Sequence, residues 1–129
     1  MRIIFAGTPQ LAVPSLEALH ASGHTVAGVL TAPPRPAGRG REVKPSSVGA
    51  AARRLGLAFL EPERLDSAAR EAVQDLKADM LVVAAYGKIF GPKFLGLFPQ
   101  GGINMHPSLL PRHRGPAPLP AAILQGDTE

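Results

Sequence analysis

At 129 residues and 45% hydrophobic content, the chain has the material for one packed domain and is far from a disordered composition. It holds no cysteine, which excludes a disulfide framework and thiolate metal sites, and no apolar run approaches the roughly 18 residues of a membrane span. Lys and Arg total 14 against 10 Asp and Glu, and most of the +4 excess falls between Thr31 and Ser47, where Arg35, Arg39, Arg41 and Lys44 stand against the single acid Glu42.

The opening RIIFA (Arg2 to Ala6) reads as a short apolar strand, and no secretory pattern follows it, which fits a cytoplasmic protein. Gly7-Thr8-Pro9 is a turn. Leu11, Ser15, Ala18 and Leu19 fit a helix with Pro14 in its first turn, where a missing N–H costs little, and with Gly23 as its stop. Thr25 to Leu30 is a second strand. Thr31 to Ser47 then holds four prolines and two glycines, so it is expected as a loop and not as a helix or inner strand. Ser47 to Leu55 is helical and ends at Gly56. Ala58 to Leu60 is a short strand, and Asp66 or Ser67 caps a helix running to about Lys77. Asp79 to Ala85 is the most apolar strand, as a buried parallel strand should be. Pro92 to Leu97 is a short helix, Gly102 to His106 a fifth strand, and Leu119 to Gln125 a last helix after a proline-rich loop.

Strands alternating with helices predict an α/β fold, a doubly wound Rossmann-like parallel sheet of order 3-2-1-4-5. Ligands of such sheets bind at the carboxyl ends of the strands, where strand order reverses. Gly7-Thr8, Tyr86 to Phe90 and Asn104 to His106 lie at those ends. A standard dinucleotide or P-loop site is not expected. AGTPQLAVPS after the first strand lacks G-x-G-x-x-G, no acid closes the second strand, and G-x-x-x-x-G-K-S is absent.

Asn104 and His106 are two apart on a strand, so they point to one face. An amide can donate to a developing oxyanion, and an imidazole can move a proton near neutral pH. Together they suit attack of an amine on a carbonyl carbon. From spacing alone, an Asn and a His in ordinary structural hydrogen bonds remain the alternative. At Tyr86 to Phe90, Gly87 permits close backbone approach and Ile89 and Phe90 offer apolar packing, either to a ligand or to the core. The basic stretch from Arg35 to Lys44 suits phosphates, or is a solvated loop without a partner.

Four stretches carry a resemblance. GINMHPSLLPRHRG (Gly102 to Gly115) resembles the SLLP signature of the folate-dependent formyltransferase family. FAGTPQLAVPSLEAL (Phe5 to Leu19), PPRPAGRG (Pro33 to Gly40) and AAYGKIF (Ala84 to Phe90) are similar to its tRNA-formylating branch, so the likeness runs through essentially the whole chain. The resemblance implies transfer of a formyl group from 10-formyltetrahydrofolate to the amino group of methionyl initiator tRNA in translation initiation, with no metal. It implies that Asn104 bonds the formyl oxygen and that His106 assists proton transfer. Tyr86, Gly87, Ile89, Phe90 and the loop residues Ser108, Leu109, Leu110 and Pro111 would form the cofactor pocket. Arg35, Arg39, Arg41 and Lys44 would approach the tRNA acceptor end.

It further implies that residues 1–129 are the N-terminal part of a catalytic domain, incomplete at its C-terminus. A third catalytic Asp would lie beyond Glu129, as would the remaining strands and a tRNA-binding barrel, in a monomeric full-length enzyme. On that reading the 129 residues alone are inactive. The sequence departs from the family at Pro34, Gly49, His113 and Pro120, where an acid, a Lys, an aromatic and a Gln are usual. The competing expectations are a formyltransferase for an amino sugar nucleotide or another small amine, and a non-catalytic RNA-binding module using residues 35–44.

Overall fold

The computed structural model describes residues 1–37, 40, 42–105 and 117–118. The chain begins with β1 (Arg2–Gly7), passes through a 3-10 turn (Gln10–Ala12) into α1 (Val13–Ala21), and returns as β2 (Thr25–Leu30). A hairpin follows, β3 (Arg35–Ala37) and β4 (Glu42–Lys44), then α2 (Ser47–Arg54), β5 (Phe59–Leu60), α3 (Ser67–Asp75) and β6 (Met80–Ala84). The last described elements are α4 (Pro92–Leu95), β7 (Gly102–Asn104) and β8 (Ala117–Pro118). The main sheet has the order β5-β2-β1-β6-β7-β8. Its first five strands are parallel and reproduce the expected 3-2-1-4-5 order.

Two features were not expected. Part of the proline-rich stretch is the antiparallel hairpin β3–β4, with Arg35 opposite Lys44 and Pro36 opposite Val43. A two-stranded ribbon has only edge strands, so Pro36 can point its missing N–H outward. The second is β8, two residues antiparallel to β7 at the sheet edge, where Pro118 costs no inner ladder bond. The expected helix over residues 119–125 lies outside the described residues.

Successive residues of β1 feed opposite faces. Ile3 and Phe5 join a core with Leu16 of α1 and Val48 of α2. Ile4 and Ala6 join another with Val73 of α3 and Phe94 of α4. Both faces are covered, which is why β1 and β6 read as continuous apolar runs and not as alternation.

Helix ends follow local chemistry. Ser46 Oγ accepts from Gly49 N at 2.8 Å to cap α2, and Asp66 Oδ1 accepts from Ala69 N at 3.0 Å to cap α3. Gly56, with φ of 73°, follows α2 as expected. Helix α1 departs from expectation: it ends at Ala21, and extended Ser22 stops it, its hydroxyl donating to Leu19 O at 2.6 Å.

Gly7 ends β1 under tight constraint. A Cβ there would stand 2.7 Å from the backbone oxygen of Ala84. Backbone in a central ladder cannot yield cheaply, so Gly7→Ala is expected to destabilise the fold by about 1–3 kcal/mol. A urea midpoint equal to wild type would contradict this packing.

Candidate active site

The sheet reverses its direction of growth at β1, with β2 on one side and β6 on the other. A crevice belongs at the carboxyl ends of β1 and β6. Thr8 leaves β1 there, and its N–H donates to Ala85 O at 3.1 Å. Its hydroxyl donates to Tyr86 O at 3.2 Å and accepts from Ala32 N at 3.3 Å.

The turn after β6 is unusual. Ala85 has φ of 61° and Gly87 has φ of 97°. An alanine in the left-handed region costs on the order of 1–2 kcal/mol and persists only where its surroundings impose it. Such outliers cluster at ligand-holding sites.

The two aromatic side chains of this turn point inward. Tyr86 and Phe90 are buried, and their rings stack at 5.5 Å. Tilted ring contacts continue from Phe90 to Phe94 at 5.1 Å and from Phe94 to Phe98 at 5.9 Å. Gly87 and Ile89 stay on the surface, with Ile89 57% exposed. A buried residue at each end thus leaves the backbone of 87–89 and the Ile89 side chain facing outward.

Burial pushes the Tyr86 phenol from its ordinary value near 10 up to about 12. Its hydroxyl has no hydrogen-bond partner among the described residues. The neutral form is favoured in the fold, so this contribution to stability is whole below pH 10 and is lost as pH rises through 12. Tyr86→Phe should therefore change stability by less than about 1 kcal/mol at pH 7 and reduce the alkaline loss. Tyr86 is the chain's one tyrosine, so phenolate absorbance reports it alone. A titration midpoint near 10 would contradict an inward ring.

Asn104 closes β7, level with Val83 of β6 on one side and Ala117 of β8 on the other. It is half-buried at the carboxyl rim, one strand from the 85–89 turn. His106 lies outside the described residues, as do Ser108, Leu109, Leu110 and Pro111 of the expected pocket loop. Of the four expected phosphate-binding cations, Arg35 and Lys44 are exposed cross-strand partners on the hairpin. Arg39 and Arg41 lie outside the described residues.

Sequence reasoning singled out no cavity elsewhere, yet one of about 470 Å³ lies beyond β5, lined by Leu60, Glu61, Glu63, Arg64, Asp66 and Ala69 among others. It is four strand positions from Asn104, about 19 Å at ordinary strand spacing. Three carboxylates against one guanidinium disfavour a phosphate or a carboxylated ligand there. Among the described residues no His, Asp and Glu cluster could hold a metal ion, and no helix is long and apolar enough to cross a membrane.

The sequence model of the formyl transferase family matches residues 1–129. The chain belongs to that family. Two methionyl-tRNA formyltransferases illustrate the likeness. That of Treponema denticola is 53% identical over 135 residues, which cover 98% of this chain and 42% of the relative. That of Heliobacterium modesticaldum is 49% identical over 129 residues, covering 100% of this chain and 41% of the relative. The chain thus spans about two-fifths of the length of these formyltransferases.

Solved structures agree on the fold alone. The phosphoribosylglycinamide formyltransferase of Anaplasma phagocytophilum superposes with a TM-score of 0.60 at 20% identity, over 89% of this chain and 53% of that one. Its counterpart from Bacillus halodurans gives 0.57 at 21%, over 89% and 60%. The doubly wound sheet is the formyl transferase fold, and the left-handed turn at Ala85 and the strand end at Asn104 sit at its carboxyl rim.

Proposed function

We propose that the protein containing this chain transfers a formyl group from 10-formyltetrahydrofolate to the amino group of methionyl initiator tRNA, in the cytoplasm, at the start of translation. The observation that carries this reading is identity near one half, along the whole chain, to proteins named methionyl-tRNA formyltransferase.

The rim supports it chemically. The pterin lies against the outward backbone of 87–89 and the Ile89 side chain, while Tyr86 and Phe90 hold that turn from beneath. The amino nitrogen attacks the formyl carbon. Asn104 donates its amide N–H to the formyl oxygen as negative charge develops there. His106 takes the proton that the attacking amine loses. The carbon–nitrogen bond to the folate then breaks, and the folate nitrogen leaves with a proton. Ser108, Leu109, Leu110 and Pro111 are assigned to folate contact by the family resemblance alone.

The hairpin supports an RNA acceptor. Arg35 and Lys44 are opposed cations on an exposed ribbon. Like charges directly opposite each other destabilise a ladder unless an anion lies between them. The ion pair that Lys44 makes with Glu42 is long, at 4.0 Å, and exposed. A phosphate backbone relieves this repulsion, and Arg39 and Arg41 add positive charge to the same stretch of sequence.

The test is a competition assay on the full natural protein, supplied with 10-formyltetrahydrofolate and two acceptors, methionyl initiator tRNA and an amino sugar nucleotide. Preference for the tRNA supports the proposal. Formylation of the sugar amine alone rejects the acceptor, and RNA binding without any formyl transfer rejects the enzymatic reading.

A further inference from the structure

We propose that Thr8 is a positioning residue that couples the basic hairpin to the 85–89 turn, so that ligand binding at either one strengthens binding at the other. This rests on the proposed folate and RNA sites and adds the link between them.

Thr8 is half-buried directly after β1, at the point where strand order reverses. Its backbone and side chain reach three segments at once. The N–H donates to Ala85 O at 3.1 Å, and the carbonyl accepts from Val48 N at 3.2 Å. The hydroxyl donates to Tyr86 O at 3.2 Å and accepts from Ala32 N at 3.3 Å. Ala32 is the outgoing foot of the excursion that carries Arg35. Val48 lies in the first turn of α2, just after that excursion returns. Ala85 and Tyr86 begin the left-handed turn.

A hydroxyl has one proton and two lone pairs. Thr8 spends its proton on the turn and a lone pair on the hairpin's foot, so one atom bridges the two loops. A second clasp closes the excursion below it. The Thr31 and Ser46 hydroxyls are hydrogen-bonded to each other, and Ser46 Oγ also accepts from Gly49 N at 2.8 Å. A Cβ at Gly49 would stand 3.1 Å from Ser46 Oγ, tighter than ordinary contact. Both feet of the hairpin therefore end on the same rim as the turn. A ligand that favours the arrangement of one loop in which these bonds form therefore favours the matching arrangement of the other. The resulting coupling is reciprocal.

Thr8→Val keeps the size and branching and both backbone bonds but removes the bridge. Thr8→Ser keeps the hydroxyl. The measurement is the Kd of deacylated initiator tRNA for the full natural protein, with and without saturating tetrahydrofolate. Wild type should bind the tRNA about 5–30-fold more tightly with the folate present. In Thr8→Val that ratio should fall to within about twofold of one, and Thr8→Ser should restore it. If Thr8→Val does not fold, Thr8→Cys, a much weaker donor of similar size, takes its place with the same expectation. A merely structural Thr8 would lower the melting temperature and leave the ratio intact, and that result overturns the proposal, as does a ratio of one in wild type. A wild-type protein that binds neither ligand overturns the reading of the two sites beneath it.

Discussion

Asn104→Ala in the full natural protein should lower kcat for formyl transfer by about 10²–10³-fold while leaving tetrahydrofolate affinity within about threefold of wild type. The asymmetry follows from where the residue stands. Asn104 ends β7 one strand from the 85–89 turn, and in the proposed site the turn, not Asn104, supplies the backbone and apolar surface for the pterin. The formyl oxygen carries little charge in the ground state and much more once the amine has added. A donor aimed at that oxygen therefore acts mainly on the barrier and little on binding. Asn104→Asp sharpens the point: it keeps the size but places an acceptor, and a negative charge, against the developing oxyanion. Its kcat should fall at least as far as that of the alanine variant. A kcat within about fivefold of wild type in both variants would remove Asn104 from the chemistry. A parallel collapse of folate affinity and thermal stability would show it to be structural.

The second large effect concerns the hairpin. The double variant Arg35→Gln, Lys44→Gln should weaken initiator tRNA binding by about 10–100-fold near physiological salt. It should also reduce the slope of log K against log salt by about 1.5 in magnitude, because each phosphate neutralised contributes roughly 0.7–0.9. The two cations are cross-strand neighbours, and among the described residues the one ion pair near them is long and exposed, so removing both should not harm the ribbon and should relieve repulsion within it. Folate binding should stay within about twofold of wild type, since neither side chain belongs to the 85–89 turn. Unchanged salt dependence would mean that the phosphates are bound elsewhere. Equal losses for tRNA and folate would mean that the variant had damaged the rim as a whole.

Much of this architecture is written in residue types with strong local physics. RIIFA and DMLVVAA read as apolar strands, and Asp66, Pro14 and Pro92 mark helix starts by the hydrogen bond one accepts or the N–H the others lack. Those signals were enough for the parallel order. The hairpin and β8 escaped because proline argues against inner strands, and only the assembled sheet reveals that a strand is an edge. The inward direction of Tyr86 and Phe90 was equally hidden. Strand alternation stops at the turn, and the left-handed Ala85 that turns the chain has no sequence signature, since alanine normally avoids that region. Asn104 was legible as a polar residue at the end of a strand. Its register with Val83, which puts it beside the turn, was not.

The most direct measurement is a crystal structure of the full natural protein with tetrahydrofolate bound. The pterin should lie against the backbone of residues 87–89, with the nitrogen that carries the formyl group close enough that a formyl oxygen would fall about 2.7–3.2 Å from the Asn104 amide. Folate seated instead in the acidic groove beyond β5, or an Asn104 amide turned away from it, would contradict the assignment.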